Sequence, residues 1–357
     1  MKNYKWLESV LRRRMRSGML LLLASAVILM SGMLFACTAN PGSTGSAADP
    51  GSAAESLTVR VSSLKGPTSI GLAQFIADAK TTDDTAPFLY EFAITGTPDE
   101  ILTGLIRGDI DIALLPVNLA SVLFNKTDGG IEVLNINTLG VLHVVSGDTS
   151  IRTFDDLAGR TVIMAGKGSI PEYVMNHLLA QAGLADSVTL DFRAEATEVA
   201  AVLAADPSAV GVLPEPYATS VVTKVAELDY RLDLTAVWEA MSATGQDKFI
   251  TGVTVARSEF IEAHPEALQD FIDKQASSIE QAQTSPQQVA PLVVEAGIVD
   301  NVDIAQKALP RCNLVNLSGD TMKQSMQAFL AILFGYNPAI LGGELPSDAF
   351  YYCGSTN

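Results

Sequence analysis

The stretch Thr161-Val162-Ile163-Met164-Ala165-Gly166-Lys167-Gly168-Ser169-Ile170-Pro171-Glu172 holds a complete structural unit. Residues 161–165 are apolar or β-branched and stop at a glycine, as a short buried strand does. Gly166-Lys167-Gly168-Ser169 reads as a turn. Ser169, Pro171 and Glu172 then form a capping box that opens a helix, and Gly183 closes it. Strand, polar turn and capped helix make up the repeating unit of a mostly parallel sheet covered by helices.

The same order recurs on either side. Downstream come a strand at 188–192, a helix at 197–205, a strand at 209–213, and a turn at 213–216 that enters another helix. Upstream lie a short helix at 153–157 and a long extended run at 131–146, read as two linked strands with a crossover near 139–145. Before that run, strands at 57–61, 88–94 and 110–115 alternate with helices at 70–79, 98–108 and 118–125. Thr97-Pro98-Asp99-Glu100 gives a second capping box. Residues 249–256 read as a strand that carries the chain back, and the remainder is mostly helical, with a capped start at Ser285-Pro286. This is an α/β pattern of two lobes joined by two crossovers. The first lobe takes residues 57–142 and 251–357, and the second takes 143–250.

Residues 1–36 differ from the rest. Arg12, Arg13, Arg14 and Arg16 precede an apolar run at 19–30, and Leu34-Phe35-Ala36-Cys37 follows. These are the parts of a secretory signal, with Met1 or Met15 as its start. Leu34-Phe35-Ala36-Cys37 resembles the bacterial lipobox, although Phe35 stands where a small residue is usual. The resemblance implies that Cys37 is acylated and becomes the mature N-terminus. Residues 37–56 are rich in Thr, Ala, Pro, Gly and Ser and read as a flexible tether.

The 357 residues carry 23 Lys/Arg and 40 Asp/Glu. Removing the leader takes away six basic residues and one acid, leaving 17 against 39, a net charge of −22. So acidic a chain is unsuited to nucleic acid or to adhesion to anionic lipid. Two further cysteines, Cys312 and Cys353, make one possible disulfide in an oxidising compartment. Catalytic signatures are missing. No phosphate-binding loop with the required glycine spacing and no G-x-S-x-G elbow occurs. His143, His177 and His264 are far apart in sequence and read as structural, and no zinc pattern appears. No cofactor or metal is expected.

In open α/β sheets ligands bind beyond the carboxyl ends of the strands. That selects the turns at 65–69, 95–97, 116–118, 166–169 and 214–216. We place a ligand between Lys65, Thr68, Ser69, Thr97 and Asn118 on the first lobe and Lys167, Gly168, Ser169 and Glu215 on the second. Backbone amides and hydroxyls at Thr68, Ser69 and Ser169 would hold a negative or electron-rich group. Lys65 and Lys167 would add charge, unless they are simply solvated. Glu215, if it faces the cavity, favours a ligand with a donor at one end. If it points to solvent, that preference lapses.

Several motifs together resemble a known family. Gly108-Asp109-Ile110-Asp111-Ile112-Ala113 looks like the G-x-x-D-(I/V)-A strand of the nitrate/sulfonate/taurine-type solute-binding proteins, a group that includes binders of thiamine-pyrimidine precursors. Residues 154–162 are similar to the family's entry into its second lobe, and Gly166-Lys167-Gly168-Ser169 to the turn that follows. Residues 209–218 resemble its D-A-x-x-x-W-E-P segment, with Leu213-Pro214 in place of the tryptophan region. The resemblance implies a type II periplasmic-binding fold, a monomer that binds a solute without chemistry, and an ABC permease with its ATPase as partners. An enzyme on the same fold, of menaquinone- or pyrimidine-pathway type, is the competing expectation. The leader and lipobox weigh against it.

Overall fold

Eleven strands build two mixed sheets in the computed structural model, which describes residues 56–242 and 247–354. The expected leader, Cys37 and the tether up to residue 55 lie outside the described residues. Strands β1 (Leu57–Leu64), β2 (Phe88–Thr95), β3 (Ile112–Pro116) and β4 (Ile131–Leu139) begin the first sheet. The second holds β5 (Leu142–Ser146), β6 (Thr161–Ala165), β7 (Thr189–Arg193), β8 (Val210–Pro214) and β9 (Asp229–Asp233). The chain then returns to the first sheet as β10 (Ile250–Arg257) and β11 (Leu314–Leu317). The strand orders are β11-β4-β10-β3-β1-β2 and β7-β6-β8-β5-β9. Parallel pairs form β2-β1-β3 and β7-β6-β8, and the remaining pairs are antiparallel.

Side chains alternate across each strand, so apolar residues at every position mean helices on both faces. Ile112 and Leu114 of β3 face Phe75, Leu268 and Phe271, while Ala113 and Leu115 face Ile101, Met322 and Phe329. The second cluster runs on into the other lobe through Val144, Met164 and Leu178. The Gly319–Tyr336 helix thus serves both lobes. Its Phe329 ring lies 5.5 Å from Trp238 and 6.0 Å from Phe249, centroid to centroid.

Gly140 stands at the first crossover, between β4 and β5. A Cβ there would collide with the Phe249 ring and the Thr235 hydroxyl, so the two crossovers pack against each other at a distance glycine alone permits.

The structure departs from the sequence reading in four places. β9, Asp-Tyr-Arg-Leu-Asp, and the short β11 carry too little apolar alternation to stand out; both are edge strands. The expected helix at 70–79 is two pieces, Pro67–Ile70 and Ala73–Ala79. The side chains of Thr97, Ser169 and Ser285 do not cap their helices, whereas Thr153 and Asp156 form a full capping box.

The fourth correction is the disulfide: Cys312 and Cys353 are both free. Tyr352 N donates to Val133 O at 3.0 Å, which fixes the C-terminal tail near the start of β4. Asn313 O accepts from Leu139 N at the strand's end. Five residues from Val133 to Thr138 span about 17 Å, beyond disulfide reach.

Candidate functional site

Strand register gathers the proposed site residues onto two edges. Leu64 pairs with Thr95, and Ser63 with Leu114, which brings Lys65, Gly96 and Pro116 level. Lys65, Thr68, Ser69, Thr97 and Asn118 therefore share the carboxyl edge of the first sheet. In the second sheet Ala165 pairs with Arg193, and Met164 with Val212, so Gly166 stands level with Pro214. β4 runs in the same direction as β3 and leaves by that carboxyl edge, while β5 enters with Leu142 opposite Pro214. Both carboxyl edges thus border the crossovers.

Most hydroxyls on these edges are already committed. Ser69 Oγ donates to Leu64 O at 2.6 Å, so its contact with Ser63 Oγ at 2.8 Å must be donated by Ser63. Thr68 Oγ1 donates to the same carbonyl at 3.1 Å, and its methyl fills the space left by Gly252. Both residues are buried. Ser169 Oγ donates to Gly166 O at 2.6 Å, and Gly168 N donates to the Glu172 carboxylate. Gly166 and Gly168 have φ of +90° and +76°, a region that favours glycine, so the turn is sequence-determined. These hydroxyls can accept from a ligand but have no proton left to donate to it.

Lys65 and Lys167 are exposed. Lys167 Nζ lies 5.7 Å above the Phe192 ring, and Lys65 Nζ is 3.9 Å from Asp300. Thr97 is exposed and Asn118 half-buried. The Thr95 and Thr97 hydroxyls hold Glu100 below the usual carboxylate range.

Glu215 points neither to solvent nor to an open cavity. It is completely buried. Oε1 accepts from Tyr230 Oη at 2.8 Å, and Oε2 accepts from Thr219 N at 3.2 Å. His143 Nε2 lies 3.8 Å from Oε1. Because Tyr230 donates to the carboxylate, its 2.6 Å contact with Thr219 Oγ1 is donated by Thr219. Tyr230 sits on β9, whose polar pattern hid it from the sequence reading. The preference for a donor-bearing ligand that rested on Glu215 facing the cavity lapses.

A cavity of about 510 Å³ opens between the lobes. Lys65, Asp300 and Asn301 line the first-lobe side, and Pro216, Tyr217 and Ser220 the second-lobe side. Of the nine proposed ligand residues Lys65 lines it. Tyr217 was legible as part of the Glu215-Pro216-Tyr217 segment, but residues 300 and 301 carried no signal. Among the described residues no group of three or more His, Cys, Asp or Glu could hold a metal, and no helix is long and apolar enough to cross a membrane.

Residues 126–289 match the family model described as NMT1/THI5 like, in agreement with the resemblance read from the motifs. The chain has the fold of the periplasmic solute-binding proteins. An ABC transporter protein from Parabacteroides distasonis is 24% identical with a TM-score of 0.70, over 83% of this chain and 98% of that one. The periplasmic aliphatic sulphonate-binding protein of Escherichia coli is 13% identical with a TM-score of 0.65, over 83% and 92%. The alkanesulfonate-binding protein of Xanthomonas axonopodis pv. citri, bound to MOPS, is 16% identical with a TM-score of 0.54, over 84% and 97%. No curated protein matches the sequence. In this solute-binding fold the interlobe cavity at Lys65 and Tyr217 is the candidate site.

Proposed function

We propose that this chain is the extracytoplasmic solute-binding component of an ABC importer. It is anchored by a lipid on Cys37 and acts as a monomer that delivers its solute to a permease and ATPase. The observation that carries the reading is the cavity of about 510 Å³ whose walls come from both lobes, Lys65 and Asp300 on one side and Pro216 and Tyr217 on the other. Two lobes meeting at crossovers can close on a ligand by bending there. Two of the similar proteins, from Escherichia coli and Xanthomonas axonopodis pv. citri, are by name sulphonate-binding proteins. Lys65 and the exposed Tyr217 ring suit a small solute with an acidic group and an apolar body.

A thermal-shift screen of sulphonates, pyrimidines and related heterocycles tests this, since a ligand that binds the folded state raises its melting temperature. A compound that stabilises the protein unconsumed, and loses that effect in Lys65→Ala with Tyr217→Ala, supports the reading. Turnover of the compound would instead indicate an enzyme. For the anchor, Cys37→Ala must abolish incorporation of labelled palmitate; label retained in the variant sinks that part.

A further inference from the structure

Behind the Tyr217–Lys224 helix lies a second interlobe cavity of about 430 Å³, which shares Thr223 with the first. Lys307 and Arg311 line it from the first lobe, and Thr223, Asp229 and Tyr230 from the second. Lys307 and Arg311 are one helical turn apart. Arg311 Nη1 donates to Lys307 O at 3.0 Å, and the guanidinium lies 4.5 Å above the Tyr230 ring. That fixes the planar fork and leaves its other N–H groups free to donate. Among the described residues neither cation has an acidic partner at salt-bridge distance, although acids outnumber bases 40 to 23 in the chain. Like charges at this spacing repel.

The other polar groups leave the position open to an anion. Asp229 Oδ1 accepts from Tyr230 N at 2.9 Å, and Oδ2 lies 3.8 Å from Arg231 Nη2, so its charge is partly answered. The hydroxyls of Tyr230 and Thr219 are spent on the chain of hydrogen bonds that ends at Glu215. Thr223 is exposed, and its hydroxyl has no partner among the described residues. Lys307 brings three donors, Arg311 its unused N–H groups, and Thr223 one.

We propose that this cavity binds a small anion bearing two or more acceptor oxygens, an oxyanion or a carboxylate, between Lys307 and Arg311 of one lobe and Thr223 of the other. Charge-assisted bonds to such a group are the strong kind. Because both lobes supply donors, the bound anion favours the interlobe arrangement seen here over an opened one. The site adjoins the solute cavity at Thr223, but Lys307 and Arg311 do not line that cavity, and the site does not depend on which solute that cavity takes.

The test is calorimetric titration of inorganic phosphate and of acetate into the full chain in mild detergent, at constant ionic strength. The expected result is saturable binding of at least one anion. Lys307→Gln with Arg311→Gln weakens it tenfold or more, and Lys65→Ala leaves it unchanged. Neither anion binding, full affinity in the double variant, or loss of binding in Lys65→Ala each overturns the proposal; the last would put the anion in the solute cavity. Should the double variant melt well below the wild type, Thr223→Val carries the test, with a several-fold loss expected and unchanged affinity refuting it.

Discussion

The phenol of Tyr230 donates to Oε1 of Glu215 at 2.8 Å, and that carboxylate is completely buried. Glu215 and Asp111 are the buried carboxylates among the described residues. Asp111 is matched by two arginines, whereas Glu215 is held by neutral donors and has a histidine 3.8 Å away. Burial and the Glu215 charge push the Tyr230 phenol far above its ordinary range, so it stays a donor at every working pH. Tyr230→Phe removes a hydrogen bond to a buried acidic group and leaves Oε1 short of a partner. The expected cost is about 2 kcal/mol in unfolding free energy, measured by urea denaturation. A loss below about 0.5 kcal/mol would show that Glu215 is satisfied without Tyr230.

His143 adds a pH dependence to the same cluster. Burial lowers its pKa, helped by the Arg311 charge, and the opposing pull of Glu215, Asp233 and a hydrogen bond to the Arg311 backbone does not undo that. The folded protein therefore keeps a neutral imidazole, although the unfolded chain takes up a proton near pH 6.5. The stability contribution is complete above about pH 6.5 and is lost as the pH falls toward the folded-state value. Unfolding free energy should drop between pH 7 and 5, and the drop should be shallower in His143→Gln. His177, lowered by burial in the same direction, leaves a residual slope in the variant. Identical slopes in the two proteins would exclude His143 as a contributor.

Asp111 tests the other buried carboxylate. It sits in the Gly108–Ala113 motif, and its role in the structure is a strut. Oδ1 and Oδ2 accept from the Arg60 guanidinium at 2.7 and 2.9 Å, and Oδ1 accepts from Arg257 Nη2 at 3.0 Å, tying β1 and β10 to the start of β3. Burial alone would raise its pKa, but the arginine contacts outweigh burial and hold it below the ordinary range. Its contribution is present above about pH 4 and is lost as the pH falls through the folded-state value. Asp111→Asn should cost about 3 kcal/mol at neutral pH by stranding the arginines, with no change in solute affinity. Full stability in the variant would refute the strut.

What the sequence made legible followed from local chemistry. Thr161-Val162-Ile163-Met164-Ala165 is a strand at the expected residues because an apolar run bounded by glycine has few other uses. Gly166 and Gly168 announced a turn through the positive φ they adopt. What stayed hidden depends on distant partners. Nothing near Glu215 in sequence says that Tyr230, fifteen residues on, takes its carboxylate. Nothing near Ser69 says that Leu64 O takes its proton. Asp300 meets Lys65 through the packing of helices more than two hundred residues downstream, a relation that periodicity cannot encode.

The two cysteines offer a test that separates the sequence expectation from the fold. Cys312 is fully buried, and burial together with the nearby Glu215 charge pushes its thiol well above the ordinary range. The thiolate is the reactive form, so Cys312 should be inert while the protein is folded. Cys353 is exposed, its Sγ 3.5 Å from Tyr351 O in its own tail. In a chain carrying Cys37→Ser these two thiols remain. A chromogenic thiol reagent should then label one cysteine quickly in the native protein and the second as it unfolds. Cys353→Ser should remove the fast phase and leave the slow one. A reductant should leave the urea midpoint unchanged, because no cross-link constrains the unfolded chain. If no thiol reacts in either state until a reductant is added, the cysteines are paired, and the tail does not lie against Val133 as described.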